Sequence, residues 1–213
     1  ERGAKETHRV RSVGAEPSFR VLSMNGPVFD IEEALRLSNG TNAEVLVFVS
    51  REARELSSEA AGELARLAVR PGVGAAGCMI VDGRGRVVNA GAGLHAGSVV
   101  RPYAGSSSAV SGHAMRLATI RNVQIATAEC FAIRREVFGN IVAGADGFAD
   151  LCLKLIAAGN RNVWTPWVKV TLDGGMMGEG SPPADSEDDP YLSPNLCIEE
   201  GRIMPAFPPR LQV

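Results

Sequence analysis

The chain has 213 residues, enough for one domain with a sizeable hydrophobic core. Its 22 basic and 24 acidic residues give a formal net charge of -2, so no global field argues for a nucleic acid or an anionic membrane as partner. Hydrophobic residues make up 45% of the chain, yet its apolar runs fall well short of the roughly 20 residues of a membrane span.

The first stretch, Glu1 to Arg11, is highly charged and has no apolar core of the signal-peptide kind. Residues 1–18 therefore read as a leading segment. Phe19 to Met24 reads as a strand, and Asn25-Gly26-Pro27 as a turn. Ile31 to Leu37 carries its apolar residues on one helical face and ends near Asn39-Gly40. Glu44 to Val49 is a continuous apolar run, which predicts an interior, parallel strand. Ser58 to Val69 is a helix stopped by Pro71-Gly72, and Val73 to Val81 is a second interior strand.

Asp82 to Gly85 is a turn, and Arg86 to Asn89 returns as a hairpin arm. Ala90 to Gly112, rich in Gly and Ser, predicts a long mobile loop, with His95 and His113 as solvated residues. Val123 to Ile133 reads as one β-like stretch, and Arg134 to Phe138 as the opening of a short helix. Asp150 to Ala158 is an amphipathic helix with Gly159 at its C-terminal cap, and Val163 to Val170 is a strand. From Gly174 to Asp189 the composition again predicts a mobile segment. Strands alternating with helices indicate an α/β domain with a largely parallel sheet flanked by helices. The four cysteines are far apart and without nearby histidines at ligand spacing, so they read as buried free thiols rather than a zinc site.

Four segments, taken in order, carry a resemblance: VGAAGCMIVDGRGRVVNAG (residues 73–91), ATAECFAIRREVF (126–138), DLCLKLIAAGNRNVWTPW (150–167) and DPYLSPNL (189–196). In this order and spacing they resemble family 2 glycosyltransferases of the bacterial surface-polysaccharide, rhamnosyltransferase-like type. The resemblance implies a GT-A-like core over residues 19–173, followed by a flexible loop and tail over 174–213. It implies a nucleotide sugar as donor, a saccharide as acceptor, and Mg²⁺ or Mn²⁺ as the family's usual metal. By order, Phe19 to Met24 matches the family's third strand, so the first strands and most of the nucleoside pocket are expected to be missing. Another protein or that missing region would then be a partner. The expected location is the cytoplasm, including the inner membrane face.

The resemblance also assigns residues, and most have changed. The family's Asp-x-Asp motif, which holds the metal, corresponds to Ser50-Arg51-Glu52. Arg51 reads either as a diphosphate contact or as part of a solvated strand end. Glu52, with Asp173, supplies the only candidate metal ligands, too few to predict a tightly bound cation. The family's catalytic base falls at Phe148, which cannot accept a proton. Asp150 is retained and Asp146 could substitute as base, although Asp150 also suits a helix N-terminus. Trp164 and Trp167 are candidates for stacking on an acceptor sugar. Three apart on a strand they face opposite ways, so at most one can line a given site. The expected function is that of a glycosyltransferase-like domain inactive as this chain alone; the alternative is a non-catalytic relative binding a saccharide or a protein.

Overall fold

The computed structural model describes residues 16–54, 56–174, 177–192, 196–199 and 202–205. Most of the expected leading segment, Ser193-Pro194-Asn195 of the last motif and the end of the tail lie outside the described residues.

The chain opens with β1 (Phe19–Met24), α1 (Ile31–Asn39), β2 (Val45–Ser50), α2 (Ser58–Ala68) and β3 (Val73–Val81). Asp30 caps α1 by accepting the Glu33 N–H at 2.8 Å, and Ser57 caps α2 by accepting the Ala60 N–H at 3.2 Å. After β3, Asp82 Oδ1 accepts the N–H groups of Arg84 and Arg86, both at 2.8 Å. This locks the expected turn and holds the Asp82 carboxyl below its ordinary range. Then come β4 (Val87–Asn89), β5 (Gly93–His95), β6 (Ser98–Val100), β7 (Arg121–Val123), β8 (Cys130–Arg134), α3 (Arg135–Ile141), α4 (Phe148–Ala157) and β9 (Arg161–Thr171). A last antiparallel pair is β10 (Leu196–Glu199) with β11 (Arg202–Pro205).

The central sheet has seven strands in the order β1-β2-β8-β3-β9-β7, with β4 also paired to β3. β1 pairs β2 in parallel, and β3 pairs β9 in parallel. Because β8 is antiparallel to both β2 and β3, the strands β1, β2, β3 and β9 share one direction; β4, β7 and β8 run against them. Every residue of β2 and β3 is buried, as their uninterrupted apolar character predicts.

The period of two along the strands divides the core into two faces. Leu46, Phe48, Ala75, Phe131 and Ile133 face α1, α3 and α4. Val45, Val47, Val49, Ala76, Cys78 and Cys130 face the opposite way, against Ala61, Leu64, Ala65 and Ala68 of α2. A buried amide ties the sheet to its helices. Asn162 accepts the Ala75 N–H at 3.1 Å and donates to the Gln124 and Cys152 carbonyls, both at 2.9 Å.

Two expectations are corrected. Val123 to Ile133 is not one β-like stretch: β7 lies at the outer edge of β9, whereas β8 inserts between β2 and β3. The buried residues between them cross the sheet, and Thr127 comes so close to β3 that a Cβ on Gly77 would stand 2.7 Å from its hydroxyl. Continuous apolar character reports burial without distinguishing a strand from such a crossing. Ala90 to Gly112, expected to be a mobile loop, forms the β5–β6 hairpin and buries Ala90, Ala92, Leu94 and Tyr103. After Gly174, Met177 and Glu179 are buried, and the Gly178 N–H donates to the Pro27 carbonyl at 2.7 Å.

Candidate functional site

In an open α/β sheet, ligands bind in the crevice beyond the carboxyl ends of the parallel strands. Here β2, β3 and β9 end at Ser50, Val81 and Thr171, and the antiparallel β8 begins on the same side. The residue before β8 is Glu129, whose carbonyl accepts the Ser50 N–H at 2.7 Å. Its side chain is fully buried. Asn89, at the end of β4, is fully buried beside it and donates from Nδ2 to Glu129 Oε2 and to Glu179 Oε1, each at 3.0 Å. The Asn89 Oδ1 accepts the Gly91 N–H, which fixes the orientation of the amide. Arg101 completes the cluster with two bonds to Glu179, Nε to Oε1 at 3.1 Å and Nη2 to Oε2 at 2.6 Å. Two carboxyls thus meet one guanidinium, and Glu129 Oε1 is buried without a hydrogen-bond partner.

Removal from water pushes the Glu129 carboxyl up to about 7, with the neighbouring Glu179 charge acting in the same direction. Burial also raises Glu179, against the pull of Arg101. The bidentate Arg101 contact makes Glu179 the better-stabilised carboxylate of the two. The site is therefore a dry carboxyl pair balanced on one side only, an arrangement that can store or release a proton near neutrality.

The residues expected from the sequence lie elsewhere at this end of the sheet or in its supports. Arg51 and Glu52 are exposed in the turn after β2. The fold does bring Glu52 and Asp173 together, since the Asp173 N–H donates to the Glu52 carbonyl at 3.0 Å. Asp173, however, spends its carboxylate on Arg54 at 2.7 Å. With Arg51 and Arg54 flanking two carboxylates, this side-chain set does not suit a divalent cation, which wants converging oxygens. Among the described residues, no group of three or more His, Cys, Asp or Glu side chains is placed to hold a metal ion.

Asp150 is buried in the first turn of α4, where it accepts the Asp146 N–H at 2.9 Å and pairs with Lys154 at 2.6 Å. Asp146 itself is exposed. Phe148 is fully buried, its ring centroid 4.6 Å from that of Phe131 and 5.3 Å from that of Phe29. Trp164 is fully buried and donates to the Cys78 carbonyl at 2.9 Å, with the Arg121 guanidinium 4.9 Å from its ring centre. Trp167, three residues on, is 54% exposed. A cavity of about 200 Å³ lies away from the acid cluster, lined by Glu63, Arg66, Arg70, Ile120 and Thr165 among others.

Sequence reasoning missed Asn89, Arg101, Glu129 and Glu179. The available signal was Glu129, a lone charge inside the apolar string ATAECFAI, where an ionisable group must find partners or stay neutral. Glu179 gave no such signal, because its Gly-rich surroundings look like solvated loop.

The chain is thus a mixed α/β protein with a buried carboxyl pair at the strand ends. No family model matches it. It is 33% identical over 143 residues to y4gI of Sinorhizobium fredii (strain NBRC 101917 / NGR234), an uncharacterized protein; the match spans 61% of this chain and 15% of that protein. Among solved structures it is similar to the mannosyltransferase PcManGT from Pyrobaculum calidifontis, in complex with GDP-Man and Mn²⁺, at a TM-score of 0.39 and 13% identity, over 67% of this chain and 35% of that one. It is similar also to a CMP:2-keto-3-deoxy-manno-octonic acid synthetase complexed with CTP, at a TM-score of 0.36 and 12% identity, over 70% and 62%. At such scores these two overlaps carry no argument about activity. Among the described residues, no helix is long and apolar enough to cross a membrane.

Proposed function

We propose that this chain is a glycosyltransferase-like domain, related to enzymes that move a sugar from a nucleotide sugar to a saccharide acceptor, and that it does not itself catalyse transfer. The observation that carries the second half is Phe148. At the position where the resemblance puts the base, a phenyl ring is packed among other phenyl rings in the core. An inverting transfer needs a group there that removes the acceptor proton, and a hydrocarbon cannot.

The remaining candidates support this reading. Asp150 is engaged by Lys154 and the Asp146 N–H, so its negative charge serves the start of α4. Ser50-Arg51-Glu52 offers one carboxylate where a metal-dependent diphosphate site needs several. Four motifs in register support descent from the transferase family while these substitutions remove its chemistry. The test is a calorimetric titration with UDP, GDP and dTDP, with and without Mn²⁺. The expected result is no Mn²⁺-dependent binding. Mn²⁺-dependent binding abolished by Glu52→Gln would overturn the reading.

A further inference from the structure

We propose that the face built from residues 83–86, 107–115 and 167–169 docks onto an anionic lipid surface, with Trp167, Val110 and Met115 entering the interface and Arg84, Arg86 and Lys169 meeting the headgroups. None of these residues carries the transferase reading, so the two stand or fall separately.

β9 keeps register with β3 as far as Cys78 opposite Thr165 and resumes it at Met79 opposite Lys169, so Pro166, Trp167 and Val168 form a bulge without partners on β3. Val168 and Val170 pack in the layer against α2, and the alternating Trp167 and Lys169 turn out to solvent. The loop after β6 brackets Trp167. It passes Lys169, whose Nζ donates to Ser108 Oγ at 3.2 Å, and ends at Ile120, which lines one cavity with Thr165. Between these points Val110 is 50% exposed and Met115 54% exposed, as much as Trp167. Ala114 and Met115 both hold left-handed backbone, φ 49° and 61°, a conformation that side chains rarely adopt. The turn after β3 lies along the same loop: the Ser108 N–H donates to the Gly85 carbonyl at 3.0 Å, and Arg86 bridges Ser107.

The net charge of -2 hides a local excess of the other sign. From Gly83 to Ala128 the chain has no Asp or Glu, and neither has the stretch from Leu151 to Leu172. Among the arginines of the first stretch, Arg101 is spent on Glu179, while Arg116 and Arg121 donate to backbone carbonyls. Arg84 and Arg86 are exposed, and the carboxylate beside them, Asp82, accepts their backbone N–H groups. Lys169 meets a hydroxyl rather than a carboxylate. Nearby, Arg54 and Asp173 cancel each other. Arg84, Arg86 and Lys169 against Asp82 leave an excess that suits an anionic partner. A single-stranded nucleic acid would ask for aromatic side chains in series, whereas Trp167 is the one aromatic side chain well exposed on this face among the described residues. Apolar side chains set among cations, with a tryptophan whose amphipathic ring suits the boundary of water and hydrocarbon, fit an anionic membrane surface.

The experiment is co-sedimentation of the chain with vesicles of equimolar phosphatidylcholine and phosphatidylserine, against vesicles of phosphatidylcholine alone. The chain should sediment with the first and not with the second, and added salt should release it. Trp167→Ala should weaken the partition at least about tenfold. Lys169→Glu should weaken it about fivefold or more. Both side chains are exposed, so both variants should keep the urea midpoint of the unaltered chain. Because Trp164 is buried and Trp167 exposed, vesicles with brominated acyl chains should quench the Trp167 emission directly. Failure to sediment with the anionic vesicles, or equal sedimentation with phosphatidylcholine alone, overturns the proposal. So does binding that neither variant changes, or that leaves the tryptophan emission unquenched. Displacement of the chain from the vesicles by trigalacturonate, with the loss of binding in Trp167→Ala carried over to that sugar, would make an acidic saccharide the occupant and would overturn the lipid surface.

Discussion

Glu129 ties a single proton to the stability of the fold. Its carboxyl sits at about 7 in the folded chain against an ordinary 4.5, so the folded state binds that proton more tightly than the unfolded state does. The contribution is fully present below about pH 4.5 and is lost as pH rises through about 7. The loss corresponds to roughly 3 kcal/mol as an upper figure. Urea midpoints should therefore fall from pH 5 to pH 8.5, and Glu129→Gln should flatten that fall. Glu179 is raised too, so it contributes in the same direction, but its Arg101 partner lets it ionise first. Phe148 gives the second prediction at this scale. Phe148→Ala should cost about 3–5 kcal/mol, because it removes a fully buried ring packed against Phe29 and Phe131. Phe148→Asp should cost at least as much and gain no transfer, since it buries an unpaired carboxylate in place of the ring.

At the scale of elements, Asn162 joins β3, β9, α4 and the crossing before β8. Asn162→Ala removes three buried hydrogen bonds at once and leaves the Ala75 N–H and two carbonyls without their partner. A loss of about 3 kcal/mol in urea unfolding is expected. The helices and the interior strands were legible in the sequence because their signals are local. Asp30 and Ser57 precede amphipathic runs, and β2 and β3 are apolar without a break. The antiparallel β8 between β2 and β3 was not legible, because strand order depends on pairings far apart in the chain. The same is true of the acid cluster. Its four side chains come from β4, the turn after β6, the head of β8 and the segment after β9, and even the two nearest in sequence, Asn89 and Arg101, lie twelve residues apart. Asp150, by contrast, was readable as a helix-start residue, and its carboxylate does meet the Asp146 N–H and Lys154 there.

At the scale of the whole molecule, the proposed account joins a transferase-like sequence to a strand-end crevice closed over two buried carboxyls, with arginines beside the positions where metal ligands are expected. Deleting a general base alone typically removes ~10²–10⁴ of rate, and losing the metal removes several kcal/mol more of leaving-group stabilisation. These losses need not add, yet even partial overlap leaves transfer near background. The measurement that bears most directly on this is nucleotide release by the purified chain from UDP-, GDP- and dTDP-sugars, with Mn²⁺ and a saccharide acceptor present. The account predicts release no faster than in buffer. Release above buffer that Asp150→Asn or Asp146→Asn abolishes would contradict it and would identify the base.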